Sequence, residues 1–209
     1  VPRCGRPYDL SCCEVFVNGT NVVGKCGVNA RDLTEAECVT RRQMMEMYDF
    51  LKTYAPGFEN CYISHVPCEI GVRETRRLEG VYILTADDLA SGRRFDDVIS
   101  VGFNMIDIHQ VAGEDFDLTH FADGHYYSVP YRCLLPKELG NLLVAGRCIS
   151  VTHEALGAVR VMVNTMPIAE AAGTAAAIAA RTGCAVQKVP VGELQDTLRR
   201  SGAVLGFDH

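Results

Sequence analysis

The chain holds 209 residues, 48% of them hydrophobic and 22% charged, with a formal net charge of −6. That apolar share with so small a net charge excludes an intrinsically disordered or low-complexity chain, and the length suffices for one large domain or two small ones without disulfide staples. The acidic balance argues against nucleic acid or an anionic membrane surface as a partner.

Glu14-Val-Phe-Val-Asn18-Gly19-Thr-Asn-Val-Val23 places an Asn-Gly pair between two β-branched runs, which predicts a β-hairpin closed by a two-residue turn. The same turn accounts for the Asn18-Gly-Thr20 sequon. Leu33-Thr34-Glu-Ala-Glu37-Cys38 reads as a capping box, opening a helix that Val39, Met45, Tyr48, Leu51 and Ala55 carry to a stop at Pro56-Gly57. An extended segment over residues 61–66, a basic cluster Arg73-Glu-Thr-Arg76-Arg77 and a strand-like Gly80-Val-Tyr-Ile-Leu84 come next. Thr85-Ala-Asp-Asp88 caps a short helix that Gly92 ends. Between residues 97 and 131 short β-like runs alternate with polar loops, and Ser128-Val-Pro130-Tyr131 reads as an edge strand or a strand end. Leu142-Leu-Val-Ala145, closed by Gly146, has the pattern of a strand buried on both faces. A small-residue helix over residues 166–181 stops at Gly183. It carries Glu170 and is mostly alanine, so it is not expected to span a membrane; its low-relief face suits close packing on a sheet or a flat cofactor.

These elements together predict an α/β protein, a mixed sheet with a β-hairpin and helices. The ten cysteines include no CxxC pair, so no metal site is expected, and His65 with Cys68 reads as a buried structural pair. Cys148, in Arg147-Cys148-Ile149, reads as a small hydrophobe. Free thiols and the absence of a signal pattern point to a reducing, cytoplasmic setting, and a chain that begins at Val1 reads as part of something longer.

Gly71-Val-Arg-Glu-Thr-Arg-Arg-Leu-Glu-Gly80, Tyr82-Ile-Leu-Thr-Ala-Asp-Asp88, Asp107-Ile-His109, Pro130-Tyr-Arg132, Asn141-Leu-Leu-Val-Ala-Gly-Arg-Cys-Ile-Ser150 and Thr152-His-Glu-Ala-Leu-Gly157 with Arg160-Val-Met162 follow one another in order. In these motifs the chain resembles the C-terminal half of FAD-dependent oxidoreductases with a two-dinucleotide-binding fold, relatives of the glutathione-reductase type. The resemblance runs from about residue 27 to the end of the chain. It implies a substrate-binding α+β region over residues 1–135 and, over residues 136–209, the strand and helix that complete a flavin-binding domain. It also implies an N-terminal Rossmann half whose GxGxxG loop cradles the FAD pyrophosphate; this sequence holds no GxGxxG. FAD is therefore the implied cofactor of the intact protein, with poor binding by this chain alone, and the missing Rossmann half is the implied partner.

The resemblance further implies that Gly146 and Arg147 pass the ribityl-phosphate region, while the backbone of Gly157, Ala158, Val159, Arg160, Val161 and Met162 meets the isoalloxazine ring. Negative charge on a reduced flavin is stabilised by helix-terminal amides and a nearby cation, for which Arg160 is the candidate. Val163-Asn164 and Pro167 stand where the family pattern has Pro-Thr and a later small residue.

Among the residues themselves, Arg73, Arg76 and Arg77 can present guanidinium forks to a carboxylate or phosphate, or else pair with Glu74, Glu79 and Asp88. His153 is the first candidate for proton transfer, ahead of His109; Tyr131, beside Arg132, is a candidate substrate contact. The resemblance implies, for the intact protein, hydride-equivalent transfer between a small anionic organic substrate and flavin. The alternative is a non-enzymatic interaction or homodimerisation module derived from a flavoprotein, with its flavin-facing surface left as an apolar patch.

Overall fold

The computed structural model describes residues 14–108 and 117–207. The chain divides into two compact units, one up to Val72 and one from Arg73 onward. That boundary falls within the stretch assigned by resemblance to a single substrate-binding region.

The first unit is built on α1 (Ala30–Tyr54). Its N-cap is Asn29, whose side-chain oxygen accepts from the amides of Arg31 and Asp32. The capping box expected at Thr34 does not form: Thr34 already lies inside the helix and donates its hydroxyl to the Ala30 carbonyl. The helix ends at Ala55, ahead of Pro56-Gly57 as expected. A strap of chain runs back along it, held where Tyr48 donates to the Cys61 carbonyl, Arg41 to the carbonyls of Pro67 and Cys68, and the Ile70 amide to Glu37.

The hairpin expected around Asn18-Gly19 is absent; residues 17–25 contain no strand. Phe16, Val17 and Val23 are exposed, and the Asn21 amide donates to Gln43 of α1. A two-residue turn signal without an apolar face to bury does not hold two strands together. His65 and Cys68 are both exposed, which corrects their reading as a buried pair.

The second unit carries the core. In chain order it contains α2 (Ala86–Ala90), β1 (Val98–Gly102), β2 (Ile106–Ile108), β3 (Asp117–Thr119), β4 (Tyr127–Pro130), α3 (His153–Val159), α4 (Met162–Thr182) and α5 (Val191–Arg200). β1 pairs antiparallel with β4 and β2 with β3. Helices over short strand pairs make this a mixed α/β fold. α2 has the expected capping box, Thr85 with Asp88. In α4, Asn164, Ile168, Ala171, Ala175, Ile178 and Ala179 recur every three or four residues and are buried where the helix packs on β1 and α5. Gly183, at φ 69°, closes α4 in the left-handed conformation that glycine adopts without a Cβ clash.

Two other expected strands take a different form. Residues 80–84 keep the inward–outward alternation, with Gly80 and Leu84 buried and Val81 and Ile83 exposed, but pair only at their ends, Gly80 with Pro136 and Leu84 with Val151. Residues 142–145 are not a strand: Leu142 is exposed, and the segment is tied by the Val144 amide to the Leu134 carbonyl. An apolar run specifies a doubly buried strand only where neighbours flank it on both sides.

Candidate functional site

The site forms around α3, a seven-residue helix capped by the Thr152 hydroxyl, which accepts from the Ala155 amide. Residues 155–159 are buried, so the helix presents only its two ends to solvent: His153 and Glu154 at one, Arg160 at the other. α3 lies directly on β2. A Cβ at Gly157 would stand 3.0 Å from the carbonyl oxygen of Asp107 and 3.2 Å from its nitrogen, so a larger residue here would require the Asp107 backbone to give way.

That contact assembles the charged groups. Arg160 donates through Nη2 to the Asp107 carbonyl at 2.6 Å, and Arg73 donates through Nη2 to Asp107 Oδ2 at 2.6 Å. At the other end of α3, His153 Nδ1 meets Glu74 Oε2 at 2.6 Å, and Arg77 Nη1 holds the second oxygen of Glu74 at 2.8 Å. A carboxylate oxygen accepts, so Nδ1 is the donor in this contact and Nε2 is the ring nitrogen left free of Glu74. Four residues singled out in the sequence, Arg73, Arg77, His153 and Arg160, thus converge on two acidic partners, Glu74 and Asp107. Burial lowers the Arg160 pKa, as does the neighbouring Arg73, while Asp107 and Glu74 oppose them. Glu154 sits below the usual carboxylate range because its own amide and the Thr152 hydroxyl donate to it, with His153 and Arg77 adding to the effect.

The turn from α3 into α4 is held from beneath. The Ala158 carbonyl accepts from Asn164 Nδ2 at 2.9 Å and from the Tyr127 hydroxyl at 3.3 Å, and Asn164 also donates to that hydroxyl at 2.9 Å. All three groups are buried, and burial pushes the Tyr127 hydroxyl pKa upward. The Asn164 that departs from the family pattern therefore locks the turn. Beyond it, α4 begins at Met162 after an N-cap, Val161, that offers no side-chain bond, and Met162, Val163 and Met166 are 78%, 67% and 69% exposed. The amides of Met162 and Val163 have no acceptor inside the helix. Amides without an acceptor inside the helix, exposed apolar side chains and the neighbouring guanidinium of Arg160 have the chemistry that a flavin ring takes. The turn offers nothing equivalent to a dinucleotide phosphate loop.

Gly146, half-buried and at φ 86°, leads into a turn at the exposed Arg147. The segment after them runs beside residues 78–84, with the Cys148 carbonyl accepting from the Leu78 amide and Ser150 from Leu84. Arg76 is exposed and makes no ion pair among the described residues. Tyr131 is not available to a substrate: it is buried, with its hydroxyl donating to the Val186 carbonyl at 2.9 Å. His109 lies outside the described residues. Cys148 is exposed rather than buried; the buried thiol is Cys133, its pKa pushed up to about 12 by burial. No cluster of three metal-ligating side chains occurs among the described residues.

The sequence reading missed Asp107 as an organising group and Asn164 and Tyr127 as the lock. Asp107 sits inside a quoted motif, but its partners are 34 and 53 residues away.

The model for FAD dependent oxidoreductases matches residues 6–198 of the chain. No curated protein and no solved structure matches it. Among the described residues no single helix is long and apolar enough to cross a membrane.

Proposed function

The chain belongs to the FAD dependent oxidoreductase family, and from that premise we propose that it supplies the substrate side and the ring-facing edge of a flavin site in a cytoplasmic oxidoreductase acting on a small organic anion. The observation that carries this reading is the pairing of His153 and Arg77 on Glu74 and of Arg73 and Arg160 on Asp107, ahead of the exposed start of α4. FAD, when bound, supplies the two-electron acceptor for a hydride equivalent leaving the substrate carbon.

The chain's own residues divide the remaining work. Arg73 and Arg77 orient the anionic group of the substrate, with guanidinium forks matched to an oxyanion. His153 accepts at Nε2 the proton that leaves the substrate, while Glu74 fixes the tautomer and ring orientation and stabilises the imidazolium that forms. Amides of the first α4 turn and the Arg160 charge would hold the ring and stabilise the negative charge it gains on reduction. In this reading residues 136–209 complete a flavin-binding domain whose dinucleotide grip comes from a Rossmann segment outside this sequence.

The test is made on the intact flavoprotein, with visible flavin absorbance as the readout. Anaerobic addition of small organic acids is expected to bleach the flavin. His153→Ala is expected to keep the bound flavin and slow bleaching by about a hundredfold or more. Unchanged bleaching in His153→Ala would remove the histidine from its role, and a protein that purifies without flavin and takes none up would favour the interaction-module alternative.

A further inference from the structure

The placement of Arg160 assigns it a second partner. One residue, Asp107, holds two guanidiniums at once, Arg73 on its carboxylate and Arg160 on its backbone carbonyl, each at 2.6 Å. Like charges do not gather on one residue without a cost, and a carbonyl acceptor leaves the Arg160 charge uncompensated by that bond. Arg77 is neutralised separately by Glu74, so Arg73, Arg160 and Asp107 together carry one net positive charge. The pair is preassembled as well. Gly157 lets α3 sit on the Asp107 backbone, and Arg160 follows less than one helical turn later, half-buried, so little side-chain freedom remains to be lost on binding.

We propose that Arg73 and Arg160 form a two-pronged seat on Asp107 for the carboxylate of an organic acid, and that Arg160 engages this carboxylate in addition to the ring edge. The seat deepens the functional reading above and rests on it only for the claim that this surface is the substrate site. A carboxylate presents two oxygens in one plane, which two guanidiniums on a common support can share, one oxygen each. Arg73 is the more exposed prong and meets the ligand from solvent; Arg160 is the anchored one.

The test needs neither flavin nor turnover, so its failure is distinguishable from failure of the redox reading. The 209-residue chain is titrated with sodium succinate, and separately with sodium phosphate at matched ionic strength, following the NMR signals of the Asp107 and Arg160 amides. Saturable shifts with succinate are expected, with affinity about tenfold weaker in Arg73→Gln and in Arg160→Gln and unchanged in Arg199→Gln, on α5. Arg73→Gln alters an exposed side chain and leaves the core intact, so it decides the matter even if Arg160→Gln does not fold. No saturable shift with succinate, an equal loss in Arg199→Gln, or saturation by phosphate and not by succinate would each overturn the proposal.

Discussion

His153 shows what a single side chain contributes when its neighbours are counted. Its Nδ1 is committed to Glu74, and Arg77 holds that carboxylate in place, so the imidazole is oriented by two residues from a segment far away in sequence. Glu74→Gln is expected to slow anaerobic flavin bleaching by about tenfold or more while leaving bound flavin intact, since the amide can present an NH2 and release the tautomer. Bleaching at the unaltered rate would show that Glu74 is merely an ion-pair partner. Asp88 makes a second prediction at this scale. Burial alone would raise its pKa, but the Thr85 amide and hydroxyl, the Tyr82 hydroxyl and the Arg93 guanidinium hold it below the ordinary carboxylate value. A carboxyl whose pKa falls on folding contributes stability above its unfolded value, and that contribution is lost as pH drops through the folded one. Thermal unfolding followed from pH 7 downward is therefore expected to show a loss setting in below about pH 4, and Asp88→Asn should flatten that part of the profile. The arginines and His153 were legible in the sequence because their chemistry is carried by residue type. Glu74 was legible as a local partner of the arginines and pairs with Arg77 three residues on, but its bond to His153 and the role of Asp107 were not legible, because they depend on contact across 34 to 79 residues of chain.

Elements were legible where the signal is local and self-sufficient. The α2 capping box, the glycine stop of α4 and its small-residue face each rest on bonds or sterics within a few residues, and all appear in the structure. The hairpin at Asn18-Gly19 and the strand at residues 142–145 failed because a strand needs partners that no local pattern supplies. The start of α1 moved five residues upstream because Asn29 is available as a cap and leaves Thr34 inside the helix, bonded to a carbonyl one turn back. Asn29→Ala is expected to cost about 1 kcal/mol of helix stability, read by chemical denaturation as a lower midpoint for the first unit; no shift would mean the Asp32 bond to the Cys26 amide carries the turn. Gly157→Ala makes the stronger demand. Its new methyl would press on the Asp107 backbone, so a loss of about 1–3 kcal/mol is expected, with the Arg160 bond to the Asp107 carbonyl broken. A variant as stable as the parent would show that α3 and β2 can separate without cost.

At the scale of the whole chain, two compact units meet at residues 72 and 73, and the charged cluster lies entirely in the second. The chain neighbours Arg73 and Glu74 reach the two ends of α3, Arg73 bonding Asp107, which also holds Arg160, and Glu74 bonding His153. We propose that this cluster and the first turn of α4 bind a flavin ring. Riboflavin, which has the ring without the dinucleotide phosphates, can be titrated into the isotopically labelled chain and the amide shifts mapped. Shifts concentrated at Arg160, Val161, Met162 and Val163 are expected, reduced in Met162→Glu. Shifts confined to α5 or α1, or none at these four residues, would contradict it.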